Sequence, residues 1–401
     1  MTLAQRPVRI FLVGSEFFGT AGGIQRVNCM LLQMLADFSI TTPTDVEIFS
    51  FADQAGARPA AALAPLPRSR WHAFGRSRRV MAASVAWRLM RAEPDLVLFT
   101  HANLIRLARL VRGLRPKAKV AVLGHGIEVW KTLPSPIRQF MLKADAVIAP
   151  SVFTRNKIVE MNSVYPSRVS VLPHGLDASW KVVERAVGSR TGDCLLSVTR
   201  LGLADTYKGI ELVLRAMPAV LTLHPKATYR IAGDGNDRTR LQKLASDLGI
   251  ENQVEFRGEV TGAELHALYS QADLFVLPSQ KEGFGIVFLE AMSYGLPVVA
   301  ARSAATPELV RHGITGMLVA PEQPDTLAET LNSLLSDEIR RGALGDAARQ
   351  RVQKSFQFEH FSQRWQRWLV EVLPEPVYLA RQTAAFAPLD SPVPEFEGSA
   401  A

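Results

Sequence analysis

Glu282-Gly-Phe-Gly-Ile-Val-Phe-Leu-Glu290 sets two carboxylates eight positions apart, separated by two glycines and an apolar run that leads into Ala291-Met-Ser-Tyr-Gly295. Just upstream, Leu274–Leu277 reads as a short buried strand closed by Pro278. Glu282 therefore falls in the loop after a strand, and Glu290 about one turn into the helix that follows. In open α/β sheets, ligands bind beyond the carboxyl ends of strands, where N–H groups at a helix N-terminus face an anion. Gly283 and Gly285 allow close backbone approach there. A carboxylate beside such a loop does not hold phosphate, but it accepts hydrogen bonds from hydroxyls, as the sugar and ribose of a nucleotide sugar would offer.

Short apolar strand candidates alternate with amphipathic helix candidates along the whole chain, the pattern of parallel sheets covered by helices on both faces. Six strands are predicted in the first half: Arg9–Val13, Val46–Phe51, Leu96–Thr100, Val120–Leu123, Ala146–Ala149 and Val169–Leu172. Six more follow: Leu195–Val198, Tyr229–Ala232, Val254–Phe256, Leu274–Leu277, Val298–Ala300 and Met317–Val319. Periodicity lapses between His174 and Asp193, which marks a join between two Rossmann-like halves. A last amphipathic helix is expected over Phe356–Leu373, with Trp365 and Trp368. Beyond Pro374 the Pro- and Ala-rich tail lacks a periodic apolar face and is expected to be disordered. The domains are thus expected at 1–176 and 177–355, with a helix at 356–373 and a tail at 374–401.

The paired glutamates recur here with further motifs. These are Gly22-Gly23, Val171-Leu-Pro-His-Gly-Leu-Asp177, Ser197-Val-Thr-Arg-Leu-Gly202, Tyr207-Lys-Gly209 and Ala232-Gly-Asp-Gly235. Taken in this order, the set resembles the retaining GT-B glycosyltransferases, specifically family four. The resemblance spans most of the chain. It implies two doubly wound parallel-sheet domains facing a cleft, with the last helix crossing back to the N-terminal domain. It also implies transfer of a sugar from a nucleoside-diphosphate donor.

The same resemblance suggests roles for individual residues. Arg200 and Lys208 would grip the donor diphosphate, since fixed cations stabilise a leaving group that gathers negative charge. The N–H groups of Gly22 and Gly23, which open the next helix, would meet phosphate or sugar. Alone, that pair is an ordinary βα turn and not a full dinucleotide fingerprint. Glu282 would bind donor-sugar hydroxyls, with Gly283, Phe284, Gly285 and Ile286 offering backbone N–H groups, and Glu290 would accept from the ribose. His125, at a strand end, would reach the transferred sugar. Glu128 either binds the acceptor or caps its turn. Asp234 shapes a turn beside the nucleotide, and Arg257 and Gly258 would lie against the base. His174 stands where the family usually has Asn, and a structural role is expected for it.

Composition bounds the rest. The chain has 401 residues, 47% hydrophobic and 21% charged, which suits a globular protein with a full core in each domain. No apolar run reaches 18 residues, and the first twenty lack a secretory pattern, so a cytoplasmic protein is expected. Cys29 and Cys194 are the only cysteines and read as small buried residues. No Asp-x-Asp motif or His/Cys ligand cluster occurs, so a reaction without metal or other cofactor is expected.

Charge is uneven. Residues 1–175 carry 23 Lys and Arg against 10 Asp and Glu, a net of +13, while the remainder nets −5. Arg68, Arg70, Trp71, His72, Phe74, Arg76, Arg78 and Arg79 form a basic–aromatic cluster, followed by Arg88 and Arg91. Arg106, Arg109, Arg112 and Arg115 interleave with leucines over Asn103–Lys119. Such segments either lie on an anionic membrane or are ordinary helices with solvated arginine faces. The first fits peripheral attachment to the inner face of the cytoplasmic membrane and an acceptor carried on a polyprenyl diphosphate. Nucleic acid is disfavoured, because no recognition motif accompanies the charge.

The resulting expectation is a retaining hexosyltransferase of exopolysaccharide or cell-envelope synthesis. GDP-mannose is the first choice of donor, and UDP-glucose or UDP-galactose the second. An epimerase or hydrolase of the same fold and a non-catalytic membrane-bound subunit are the alternatives.

Overall fold

The computed structural model describes residues 6–18, 22–54, 66, 68–180 and 192–373. The expected disordered tail and part of the expected join lie outside them. The chain divides into two compact units. One takes the residues through Ala178 and resumes at Phe358; the other runs Ser179–Gln357.

Among the described residues, the first unit holds seven parallel strands: β1 (Val8–Gly14), β2 (Thr44–Ser50), β3 (Ser69–Ala73), β4 (Leu96–Phe99), β5 (Lys119–Leu123), β6 (Ala146–Ala149) and β7 (Val169–Val171). They are ordered β3-β2-β1-β4-β5-β6-β7. Residues of β4 and β6 are buried throughout, which is why these strands are continuous apolar runs rather than alternating ones. Strand order reverses between β1 and β4, so the loops after these two strands flank a crevice at the carboxyl edge.

Six of the seven strands are those predicted. The added one, β3, lies inside the basic–aromatic cluster, where no apolar alternation announces a strand. It is an edge strand that gains its place through side chains reaching its neighbour. His72 stacks on Phe49 at 4.8 Å, and Trp71 packs edge-on against Phe17 at 5.9 Å. Arg70 and His72 both approach Glu47 on β2.

Glu47 is the hub of this corner. It is buried, and Arg88 from helix Arg78–Arg91 donates to both of its oxygens, from Nε at 2.6 Å and from Nη2. Burial alone would raise this carboxyl, but His72 and Arg88 outweigh it and hold it down to about 2. Arg88 is therefore an internal ion-pair partner and not part of a solvated face.

The last helix, Phe358–Val372, belongs to this first unit and packs on helix Gly23–Thr41. Phe361, Trp365, Trp368 and Leu369 are buried, each worth about 1.5–3 kcal/mol of burial. Ser362 Oγ donates to Asp37 at 3.2 Å. Arg364, itself buried, donates to the Pro173 carbonyl at 3.1 Å and so fastens the end of the β7 segment to the helix. Burial lowers the Arg364 guanidinium to about 10.

The second unit holds β8 (Cys194–Val198), β9 (Thr228–Ala232), β10 (Val254–Gly258), β11 (Leu274–Leu277), β12 (Val298–Ala301) and β13 (Gly316–Val319). All six are parallel, in the order β10-β9-β8-β11-β12-β13, and all six were predicted. Here the order reverses between β8 and β11. Among the described residues, no helix is long and apolar enough to cross a membrane.

Replacing Glu47 by Ala leaves Arg88 buried without its counter-charge and is expected to destabilise the first unit by about 3–5 kcal/mol. Calorimetric unfolding of the variant measures this. Because the folded carboxyl is held below its unfolded value, its stabilisation is full above pH about 4.5 and is lost as pH falls toward about 2. The gap between wild type and a Glu47→Gln variant should narrow over that window.

Candidate active site

In the second unit, the chain leaves β8 through Thr199–Gly202 and a 3₁₀ segment, Leu203–Lys208, before helix Ile210–Leu223 begins. It leaves β11 through Pro278–Gly285 before helix Ile286–Ser293. These two loops flank the reversal of strand order, and they are tied together. Gly209 sits at φ +79°, and a Cβ there would lie 2.7 Å from the Pro278 carbonyl oxygen. Gln280 N–H donates to the Tyr207 carbonyl at 2.9 Å.

That approach brings Lys208 to Glu282. Lys208 Nζ donates to Glu282 Oε1 at 2.7 Å, with 17% and 9% of the two side chains exposed. Tyr207 lies under both Lys208 and Lys281, its ring centroid 5.4 and 5.7 Å from their ammonium groups. Burial and the nearby Asp205 push the Tyr207 hydroxyl up to about 12.

Arg200 is on the same loop but extends outward, 70% exposed, and donates to Asp205 Oδ1 at 2.9 Å. Its backbone is held by the neighbouring Gly233-Asp234-Gly235 turn. Leu201 N–H donates to the Asp234 carbonyl at 2.9 Å, and a Cβ on Gly233 would fall 1.7 Å from the Thr199 carbonyl oxygen. The Asp234 carboxylate accepts from Gly235 N–H at 2.7 Å and from Arg238 at 3.0 Å, and these bonds lower its pKa. Asp234 thus shapes its turn.

Gly285 caps the helix after β11 at φ +98°, and Phe284 turns its ring inward against Phe356 at 6.2 Å. Gly283 and Gly285 are half-buried, and Ile286 is the first helical residue. Glu290 is wholly buried and accepts from Tyr269 at 2.7 Å. Arg257 is exposed and occupied by Glu255 and Glu264 at 3.4 and 3.3 Å, on a bulge that leaves Gly258 at φ +71°. The Gly258 carbonyl accepts from Gly233 N–H at 2.7 Å, which joins this strand end to the Asp234 turn.

In the first unit, Gly22 is the N-cap of helix Gly23–Thr41, with extended backbone, and Gly23 is exposed. The loop before them is anchored by Asp53, which accepts from Phe17 N–H at 2.9 Å and Phe18 N–H at 3.2 Å. His125, after β5, has Nε2 2.6 Å from the Thr100 carbonyl, and its backbone N–H donates to Glu128 at 2.5 Å. Glu128 therefore caps the turn. His174 is buried, with ring centroids 6.1 Å from His125 and 6.5 Å from Phe361.

His101 was not singled out from sequence, yet its ring lies 6.1 Å from that of His125, on the loop after β4 at the reversal of strand order. Its position directly after the strand run Leu96–Thr100 was the available signal. Burial lowers the pKa of all three histidines, His174 furthest, against an upward pull from Glu128 on His101 and His125. All three imidazoles are neutral near pH 7.

Two doubly wound sheets, each with a ligand crevice at its strand-order reversal, define the GT-B class of transferase. Residues 21–180 match the family described as glycosyltransferase family 4, and residues 190–351 that described as glycosyl transferases group 1. A GDP-mannose-dependent monoacylated α-(1-6)-phosphatidylinositol monomannoside mannosyltransferase of Corynebacterium glutamicum is 30% identical over 71% of this chain and 78% of that protein. Among solved structures, sucrose-phosphate synthase of Thermosynechococcus elongatus superposes with a TM-score of 0.75 at 21% identity, covering 91% of this chain and 99% of that one. Anabaena HepE, solved with UDP and glucose, gives 0.71 at 21% identity over 90% and 98%. The chain belongs to the GT-B glycosyltransferases of family four.

Gly209→Ala tests how the Lys208–Glu282 pair is assembled. A side chain at φ +79° against the Pro278 carbonyl is expected to cost about 1–3 kcal/mol and to part the two loops. Thermal unfolding measures the cost. Gly249→Ala, at φ +68° with no described neighbour within 4 Å, shares the backbone strain without the clash and is the control.

Proposed function

We propose that the protein is a retaining hexosyltransferase that takes its sugar from a nucleoside-diphosphate donor bound on the second unit. The observation that carries this is the Lys208–Glu282 pair at the strand-order reversal, beside the Gly285 helix start. A cation, a hydroxyl acceptor and a helix N-terminus converge there, matching the three chemical needs of a sugar diphosphate.

In the proposed role, Lys208 and the exposed Arg200 neutralise the diphosphate as it leaves, without a metal ion. Among the described residues, Arg200 has one ion-pair partner, Asp205, to release. Glu282 accepts from sugar hydroxyls, and the backbone of Gly283–Ile286 serves phosphate and sugar. Glu290 accepts from ribose hydroxyls, and its bond from Tyr269 fixes the carboxylate in one orientation. Gly258 lines the base. Arg257, drawn off by two carboxylates, contributes backbone only. In the crevice of the first unit, Gly22 and Gly23 offer helix-start N–H groups and neutral His125 a hydrogen-bonding ring, the roles proposed for them toward phosphate and sugar.

Retention would follow attack on the same face from which the diphosphate departs. The acceptor hydroxyl forms the new bond to the anomeric carbon while the sugar–phosphate bond breaks, and a phosphate oxygen takes the hydroxyl proton. GDP-mannose is the first donor to test, because the Corynebacterium relative is named for it, and UDP-hexoses follow. The same name describes a lipid acceptor, which supports the lipid-linked acceptor, in envelope or exopolysaccharide synthesis, expected here.

The first test is a thermal-shift screen against GDP, UDP, ADP and their sugar conjugates. One base class should raise the unfolding temperature above the others, because ligand that binds only the folded state stabilises it. No shift with any of them would overturn the donor reading. Lys208→Ala should lower turnover by about 10²–10³-fold. Unchanged turnover would mean the diphosphate lies elsewhere. Sugar released or isomerised without acceptor would favour a hydrolase or epimerase, and NMR of the product's anomeric configuration tests retention.

A further inference from the structure

Several arginines that looked like a solvated basic face in sequence are spent inside the first unit. Arg88 is paired with Glu47, and Arg112 with Asp145 at 2.7 Å. Arg115 donates to the carbonyls of Leu89, Met90 and Ala92 at 2.8–3.1 Å. Subtracting these leaves a smaller surface with a definite form.

Helix Arg78–Arg91 buries Met81, Val85, Arg88 and Leu89. Its opposite face carries Val80, Ala83, Trp87 and Met90, at helical spacing. Val80 is 57% exposed, Trp87 45% and Met90 58%. No acidic residue lies on this helix; Arg79 and Arg91 flank the stripe in solvent, and Arg78 is exposed at the helix start. Arg91 stands 4.1 Å from the Trp87 ring centroid, a cation–π pair that keeps the indole at the surface. Helix Ala108–Leu114 packs alongside, and Arg115, just past its end, donates to the Met90 carbonyl. From Arg76 to Lys119 the only acids are Glu93 and Asp95. Asp95 is buried against Arg6, and Glu93 lies 3.4 Å from Arg115.

We infer that this face, Val80–Trp87–Met90 with Arg79 and Arg91 at its rim and Arg78 at the helix start, docks on an anionic lipid bilayer. Charge selects the partner's sign, and the apolar stripe selects its kind. A nucleic-acid backbone would answer the arginines but leave Val80, Trp87 and Met90 in water. A bilayer answers both, because the apolar side chains enter the acyl boundary while arginines reach headgroup phosphates. The inference deepens the lipid-linked acceptor reading by naming the surface that would bring the protein to such an acceptor, and it rests on that reading only for its purpose.

The test is sedimentation of the full-length protein with vesicles of phosphatidylcholine, alone or with phosphatidylglycerol, in the absence of donor and acceptor. Wild type should sediment with the anionic vesicles and not with phosphatidylcholine alone. Trp87→Ser with Met90→Ser should weaken partition at least about tenfold. Arg79→Gln and Arg91→Gln should each weaken it about fivefold. Ile339→Ser, a still more exposed apolar position in the second unit, should change nothing. All these sites are exposed, and an unchanged nucleotide thermal shift in every variant verifies folding. Failure to sediment, equal binding to both vesicle types, or variants that bind like wild type would overturn the inference. So would single-stranded nucleic acid that displaces the protein from vesicles through the same residues. Nucleotide binding without vesicle binding would sink this inference and leave the transferase reading standing; the converse would do the reverse.

Discussion

The ion pair between Lys208 and Glu282 exists because two backbones touch. Parallel strands β8 and β11 are neighbours at the point where the sheet's winding reverses, so their exit loops run apart in sequence and together in space. Gly209 lets one loop pass over Pro278 at a distance no side chain would allow. Only then does the lysine reach the carboxylate. Both groups are largely withdrawn from water, and a pair so placed gains little net stability over an apolar pair while costing several kcal/mol if one partner is lost. Its place at a strand-end crevice is therefore better explained by what it can bind than by what it stabilises.

Much of this was legible from the residues. Strands β11 and β12 are continuous apolar runs and the other four of this sheet are mainly apolar, and each was found within two residues of its boundaries. The βα loops carried the motif residues, and Asp234, Glu282 and Glu290 all fall on elements anticipated for them. What sequence concealed was pairing. Tyr269 is 21 positions from Glu290, and nothing in the local pattern of either residue announces the bond between them. Strand β3 was missed for a related reason. Its stability comes from Glu47 and Phe49 on the neighbouring strand, so a run containing Arg70 and His72 reads as surface until its partner is known.

The arginines show the same limit in a more useful form. Composition registers charge but not the burial of its partners. Arg88 and Arg91 are three positions apart on one helix, yet one closes a buried salt bridge and the other stacks on an exposed indole. Helical phase barely separates them, since positions three apart are neighbours on a helix face and Arg88 itself stands 5.3 Å from the Trp87 ring centroid; what differs is the partner, the Glu47 carboxylate of the sheet for Arg88. A net of +13 over the first 175 residues therefore overstates the free positive surface. The part that remains is concentrated around apolar side chains, and such a mixture carries more information about a partner than charge alone.

The two units solve one problem with different residues. Each sheet reverses its order once, and each presents a helix start at that point: Gly23 in the first and Ile286 in the second. In the second unit the polar groups beside the helix start are ionic. In the first they are three imidazoles made neutral by burial, with Glu128 tied into its own turn. Neutral imidazoles donate and accept hydrogen bonds without attracting or repelling a diphosphate. By chemistry alone, the ionic crevice suits a charged ligand group and the imidazole crevice a neutral polar one. His174 fits this division: placed beside His125 and backed by Arg364 and Phe361, it supports the histidine row from within rather than adding a charge to it.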